Sequence, residues 1–187
     1  GGGCSFCSLA LHQGRRISSR SEQSILAEAR MLGQQNMARG KGPVAISDVG
    51  GPTANMWQGH CALDARTAQQ DDGSSVRGKS ACRRASCCFP SVCKSFITPQ
   101  RRHVELLRKV AAVAGLQRLR FTTSHPKDLN DELMRCFAEI DILCPHFHLP
   151  VQSGSNAVLK RMNRKYSVEQ YLDKVAALRG YRPDIAL

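Results

Sequence analysis

Residues 1–7 read Gly-Gly-Gly-Cys-Ser-Phe-Cys, a glycine run closing on a C-x-x-C pair just ahead of a helix signal. Taken alone, Cys4 and Cys7 fit three chemistries: a redox pair, half of a zinc site, or two of three thiolates on an iron–sulfur cluster. The segments that follow decide which company the pair keeps. Ser19-Arg20-Ser21-Glu22 reads as a capping box, and Ile25, Leu26, Ala29 and Leu32 recur at helical spacing, so a helix is predicted over about 20–38, stopped by Gly40 and Gly42. Val44-Ala45-Ile46 is a short buried strand that breaks at the turn Asp48-Val49-Gly50-Gly51-Pro52.

Further along, Thr98-Pro99 opens a helix through Val104, Leu107, Val110, Ala111 and Ala114, stopped by Gly115. Leu116 to Thr123 is a strand, Asp128 caps a helix with Leu129, Leu133, Phe137 and Ile140, and Cys144 to Val151 is the next strand. Ser155 to Met162 is a short helix. Ser167-x-x-Gln170 is a second capping box for a helix with Tyr171, Leu172, Val175 and Leu178, and Asp184 to Leu187 begins another strand. Such alternation implies parallel strands joined by crossover helices, and the fold class it predicts is α/β, a partial (β/α) TIM-like barrel. Barrels of this kind gather their chemistry at the C-terminal ends of the strands, where Gly50-Gly51-Pro52 and Gln152-Ser153-Gly154 fall.

Residues 53–97 lack periodicity and form an irregular Cys-rich insertion. Cys61, Cys82, Cys87 and Cys93 can order it by holding zinc or a second cluster, although their spacings are not those of a standard zinc finger; spare or reactive thiols are the alternative. Cys88 is an adjacent extra, and Cys136 reads as core. Cys144, His146 and His148 share a face of their strand, but inward barrel residues of these types more often ligate nothing. His125, before Pro126, is expected to fix a loop.

The chain has 187 residues, 42% of them hydrophobic, with no apolar run near the roughly 18 residues of a membrane span. Its 27 Lys and Arg against 15 Asp and Glu give a net charge of +12, which points to a polyanionic partner, with RNA or DNA the obvious candidates; a merely solubilising basic surface is the alternative. Nine cysteines without a secretion signal suggest a reducing, cytoplasmic compartment and ligand or thiol roles in place of disulfides. With no initiator Met, Gly1 is expected not to be a natural start.

A C-x-x-C before the first helix of a parallel barrel is the cluster-loop position of radical S-adenosylmethionine (SAM) enzymes. The string GGCSFCSLALHQGRRISSRSEQSILAEA, then ISDVGGPTANMW, Cys61 and CRRASCCFPSVC, resembles YgiQ-like radical SAM proteins from residue 1 to about 118. FTTSHPKDLNDELMRCFAEI, then HFHLPVQSGSNAVLKRMNRKYSVEQYLDKVAALRGYRPDIAL, resembles MiaB-like tRNA methylthiotransferases from about residue 119 to 187, with a junction near 115–121. The chain is thus expected to be a fragment of one radical SAM core domain over 1–187.

The resemblance implies a [4Fe-4S] cluster held by C-x3-C-x2-C, with Cys4 and Cys7 as two ligands and the first expected one residue before Gly1; on that count the chain itself is expected to be inactive. It implies SAM as cofactor, with Phe6 against its adenine, and with Gly50, Gly51, Pro52, Thr53 and Asn55 at its methionine amine. Gln152 and Ser153 would face it, and Arg161 or Arg164 would pair with its carboxylate. Reductive cleavage to a 5′-deoxyadenosyl radical, an electron donor of flavodoxin or ferredoxin type, and methylthiolation of a tRNA adenosine complete the implied picture. Two other readings stay open: a YgiQ-like enzyme of unstated substrate, and a non-enzymatic zinc-bound nucleic-acid-binding module.

Overall fold

The computed structural model describes residues 12, 19–40, 44–47, 49, 57, 60–61, 96–97, 100–122, 125–126 and 129–187. The first helix, α1, runs Glu22–Arg39. Its cap is Ser21 and not Ser19: the Ser21 hydroxyl accepts from the Ser24 amide at 3.2 Å, two residues later than the predicted box. With Ser24 and not Glu at the third helical position, the reciprocal half of a capping box is missing. Gly40 ends the helix in the left-handed conformation, φ 58°, its amide donating to Asn36 at 3.1 Å.

Strand β1, Val44–Ile46, pairs in parallel with β4, Leu116–Leu119. The ladder continues past both: the Arg120 amide donates to the Ile46 carbonyl at 2.9 Å, and Val49 donates to Arg120 at 3.1 Å. Leu119 bridges in parallel to Leu143, and His146 to Ala186. These four stretches lie side by side in chain order, the arrangement of a (β/α) barrel wall. Among the described residues the predicted strand over 144–151 is reduced to the isolated bridge at His146. Its pleat survives all the same, with Leu143, Phe147 and Leu149 buried, and His146 and His148 exposed.

Helix α2, Gln100–Ala111, crosses from the insertion to β4, and α3, Asp131–Glu139, crosses from β4 to Leu143. The cap of α3 is Asn130, whose side chain accepts from the Leu133 amide at 2.9 Å; the predicted cap, Asp128, lies outside the described residues. Helices α4, Asn156–Arg161, and α5, Val168–Tyr181, fill the last crossover, and the capping box of Ser167 and Gln170 is formed as predicted. Val104, Leu107 and Val110 of α2 and Leu133 and Phe137 of α3 present the i, i+3, i+4 stripe that the sheet buries. Between the layers Phe121, Phe137 and Phe147 meet with ring centroids 5.4–5.7 Å apart, and His103 sets its edge against Phe121 at 5.4 Å. Because Phe147 packs on α3, His146 and His148 occupy the opposite face of the sheet.

Two short strands not foreseen, β2 (His60–Cys61) and β3 (Phe96–Ile97), form an antiparallel ladder with Cys61 opposite Phe96. They close the insertion at its base. The rest of the insertion, including Cys82, Cys87, Cys88 and Cys93, lies outside the described residues. Among the described residues no helix is long and apolar enough to cross a membrane.

Candidate functional site

Chain that leaves the wall beyond the His146 bridge runs past Leu149 and turns at Gln152. Among the described residues, this strap, residues 149–153, is held by side chains. The Tyr171 hydroxyl donates to the Leu149 carbonyl at 2.8 Å, and the Tyr166 hydroxyl donates to the Val151 carbonyl at 2.9 Å. Carbonyls two residues apart in extended chain point to the same side, so two tyrosines from the α4–α5 region can grip one edge of the strap.

Gln152, next in line, has φ 69°, a left-handed conformation that costs a non-glycine residue about 1–2 kcal/mol. Such backbone settings concentrate at ligand-binding sites and persist only where the surroundings enforce them. Ser153 follows, half-buried, its hydroxyl accepting from the Ser155 amide at 3.1 Å. Ser155 then caps α4. Gly154 has no positive φ to require glycine, and a Cβ built there would meet nothing within 4 Å. Gly154 is exposed and, among the described residues, faces open space.

Arg164 joins the same group. Its Nε donates to the Tyr166 hydroxyl at 3.2 Å and its guanidinium lies over the Tyr166 ring at 5.0 Å, a cation–π arrangement. His125 sets its ring edge-on to the other part of Tyr166 at 5.2 Å. Burial and the nearby Tyr166 push the Tyr171 hydroxyl up from its ordinary pKa, so it stays protonated and donating across the neutral range. Asn156 ties the two helices together, accepting from the Val168 amide at 2.7 Å while its amide donates to Glu169.

The structure thus links Arg164 through Tyr166 to the Val151 carbonyl, directly before Gln152 and Ser153, while Arg161 ends α4 as an exposed residue. Tyr166 was absent from the sequence-based site, and Tyr171 was read only as an apolar helix position. The available signal was their type, since a buried tyrosine carries a hydroxyl that must find a partner. Cys4, Phe6, Cys7, Gly50, Gly51, Pro52, Thr53, Asn55, Cys82, Cys87 and Cys93 lie outside the described residues, and of Cys61 only the backbone is described. Among the described residues no three His, Cys, Asp or Glu are grouped so as to hold a metal, Cys144, His146 and His148 included.

A cavity of about 420 Å³ lies elsewhere, lined by Arg108, Ala111, Glu139, Ile140, Asp141 and Ile142. It sits where α2 and α3 end and the strands begin, the end of a barrel that serves stability more than chemistry.

Comparison with known proteins bears on the same region. Residues 95–185 match the Radical SAM superfamily. A tRNA-2-methylthio-N(6)-dimethylallyladenosine synthase of Desulfotalea psychrophila is 66% identical over 83 residues, 44% of this chain and 19% of that protein. Proteins of the same name from Geobacter metallireducens and Geobacter sulfurreducens are 58% identical over 82 residues and 62% over 80, covering 44% and 43% of this chain and 19% and 18% of theirs. The chain spans less than a fifth of the curated relatives it matches.

Proposed function

We propose, from the premise that residues 95–185 belong to the radical SAM superfamily, that this chain is part of a radical SAM enzyme that modifies tRNA by methylthiolation. The observation that carries the reading is the identity of 58–66% to tRNA methylthio-adenosine synthases. The net charge of +12 supports a polyanionic substrate, and the run Lys160 to Lys165 clusters four of the basic residues.

On this reading the strap and its neighbours would receive an adenosylated amino acid. Ser153 and the backbone around Gly154 offer polar atoms beside open space, and Arg164 is a carboxylate partner already oriented by Tyr166. On this reading Gln152, Ser153 and Arg164 hold the cofactor, with Arg161 as the alternative partner for its carboxylate. By the family resemblance Phe6 would meet the adenine, and Gly50, Gly51, Pro52, Thr53 and Asn55 would receive the amine. Cys4 and Cys7 are thiolate ligands of a [4Fe-4S] cluster. When bound, cluster and cofactor together supply one-electron reductive chemistry that ends in hydrogen abstraction from the substrate, with a flavodoxin or ferredoxin type protein as electron source in the cytoplasm. The chain's own part is to orient the adenosyl group and keep water from it.

Cys61, Cys82, Cys87 and Cys93 are proposed to hold zinc or a second cluster. The ladder that sets Cys61 opposite Phe96, close in sequence to Cys93, supports a closed base for such a site. Anaerobic reconstitution with iron and sulfide tests the whole reading. A reducible [4Fe-4S] electron paramagnetic resonance signal that changes on adding SAM is the expected result. Stoichiometric zinc with no such signal would replace it with a nucleic-acid-binding module.

A further inference from the structure

We propose that Tyr166 and Tyr171 form a two-point clamp whose task is to hold Gln152 in its left-handed conformation, and so to set the adenosyl-binding turn at Gln152 and Ser153. Neither tyrosine need touch the cofactor; both are positioning residues. The inference rests on the functional reading above for its purpose, but the clamp itself stands on the geometry.

Among the described residues, the carbonyls of Leu149 and Val151 are met by side chains. Left to itself an extended segment relaxes to favoured backbone angles, and φ 69° at Gln152 is not one of them. Something must hold the chain on both sides of the turn. Upstream, the hydroxyls of Tyr171 and Tyr166 take the carbonyls of Leu149 and Val151, the second directly before Gln152. Downstream, the Ser153 hydroxyl receives the Ser155 amide, and Ser155 is fixed as the cap of α4, its hydroxyl accepting from Val158.

The clamp is itself braced. Tyr166 is buried between the edge of His125 and the guanidinium of Arg164, and its ring lies 6.5 Å from that of Tyr171. Its hydroxyl receives a hydrogen bond from Arg164 while giving one to Val151, so one oxygen couples the arginine to the turn. A conformational change at the turn is then felt at Arg164, and the reverse.

Two substitutions separate this role from mere packing. Tyr166→Phe keeps the ring against His125 and Arg164 and removes only the hydroxyl. Gln152→Gly makes the left-handed turn cost-free without a clamp. In the anaerobically reconstituted protein, amide hydrogen exchange followed by mass spectrometry over residues 149–155 should quicken about fivefold in Tyr166→Phe, the worth of one ordinary hydrogen bond. Equilibrium dialysis with S-adenosylhomocysteine should show affinity weakened about fivefold by Tyr166→Phe in the natural sequence and unchanged by it in the Gln152→Gly background.

Simple addition of the two effects on affinity would overturn the proposal, because a structural role would weaken both backgrounds alike. Unchanged exchange over 149–155 would overturn it too. Failure of the unsubstituted protein to bind S-adenosylhomocysteine would instead sink the functional reading and the clamp's purpose, and quickened exchange in Tyr166→Phe would still establish that the clamp exists.

Discussion

Gly33→Ala is the substitution whose sign the structure fixes against the usual expectation. In an exposed helix interior, replacing Gly by Ala stabilises by about 1 kcal/mol. Gly33 sits inside α1, but a Cβ built on it would lie 2.1 Å from the carbonyl oxygen of Ala114 and 3.4 Å from Val113. That oxygen belongs to the turn between α2 and β4, so it cannot swing aside as a flexible side chain would. Helix and turn must part by roughly 1 Å to reach ordinary contact. Parting them strains the packing of Leu26, Ala29 and Leu32 by about 1–3 kcal/mol. It also stretches the Asn36 amide bond to the Gly115 carbonyl, 3.1 Å long and worth about 1 kcal/mol. Against the propensity gain, the net is a loss of about 1–3 kcal/mol, or a fall in Tm of roughly 3–10 °C for a chain of this size.

Thermal unfolding followed by circular dichroism measures it, with Gly180→Ala as the control. Gly180 lies in α5 with nothing within 4 Å of a built Cβ, so the same exchange there should raise Tm by about 2–3 °C. Opposite signs at the two glycines are the expected result. If Gly33→Ala also raised Tm, the close approach of α1 to the turn would be wrong. Gly115→Ala should be worse still, since it adds a φ of 85° to a contact of 2.3 Å with the Gly33 carbonyl oxygen.

Cys136 should resist labelling: burial pushes its thiol up to about 11, so at pH 7.5 only about one molecule in 3000 carries the thiolate. Iodoacetamide labelling read by mass spectrometry should modify half-buried Cys144 in the native state and Cys136 only on unfolding; equal native rates would refute the burial argument. Asp131 receives the Tyr181 hydroxyl at 2.6 Å and pairs with Arg135, which together hold its carboxyl below the ordinary range. Because the folded pKa is the lower one, the contribution is present above the unfolded pKa and lost as pH falls through the folded one. Tyr181→Phe should therefore lower stability at neutral pH, with the difference from the unsubstituted protein shrinking in acid; a difference that stays constant to the acid limit would argue against this linkage.

The signals that proved legible were those written in consecutive residues. The α5 capping box, the stripe of α2, the Val44-Ala45-Ile46 strand and the glycine stop at Gly40 all depend on close neighbours in sequence, and each formed in place, although Ala45 is exposed and Ile46 half-buried where a buried strand was expected. The cap of α1 moved from Ser19 to Ser21 because a Ser-rich run offers several hydroxyls, and the choice among them depends on where α1 docks. Among the described residues the stretch 144–151 carries one bridge, His146 to Ala186, a pairing set by tertiary placement that alternation does not encode. Around the turn, the family resemblance suggested Gln152, Ser153 and Arg161 or Arg164, whereas the link from Arg164 to Val151 is a tyrosine hydroxyl meeting a main-chain carbonyl, and carbonyls carry no sequence signal.

The junction expected near residues 115–121 falls where, among the described residues, main-chain contacts cross from α1 and β1 to β4. Gly115 meets Gly33 main chain to main chain, Asn36 bonds the Gly115 carbonyl, and Lys109 pairs with Glu22. Strand β4 pairs with β1, and Arg120 extends that ladder to Ile46 and Val49. A seam between independent units would show few crossing contacts and a polar interface. Here the crossing contacts are main-chain bonds and a contact that admits no Cβ on either side, with Leu116, Leu119 and Phe121 buried in the shared core. Such contacts tolerate little variation in either partner. Whatever the origin of the two resemblances, α1 and β1 complete the same wall that carries the strap, and loosening the Gly33 contact should therefore be felt along β4 toward Leu143, the start of the stretch that leads to Gln152.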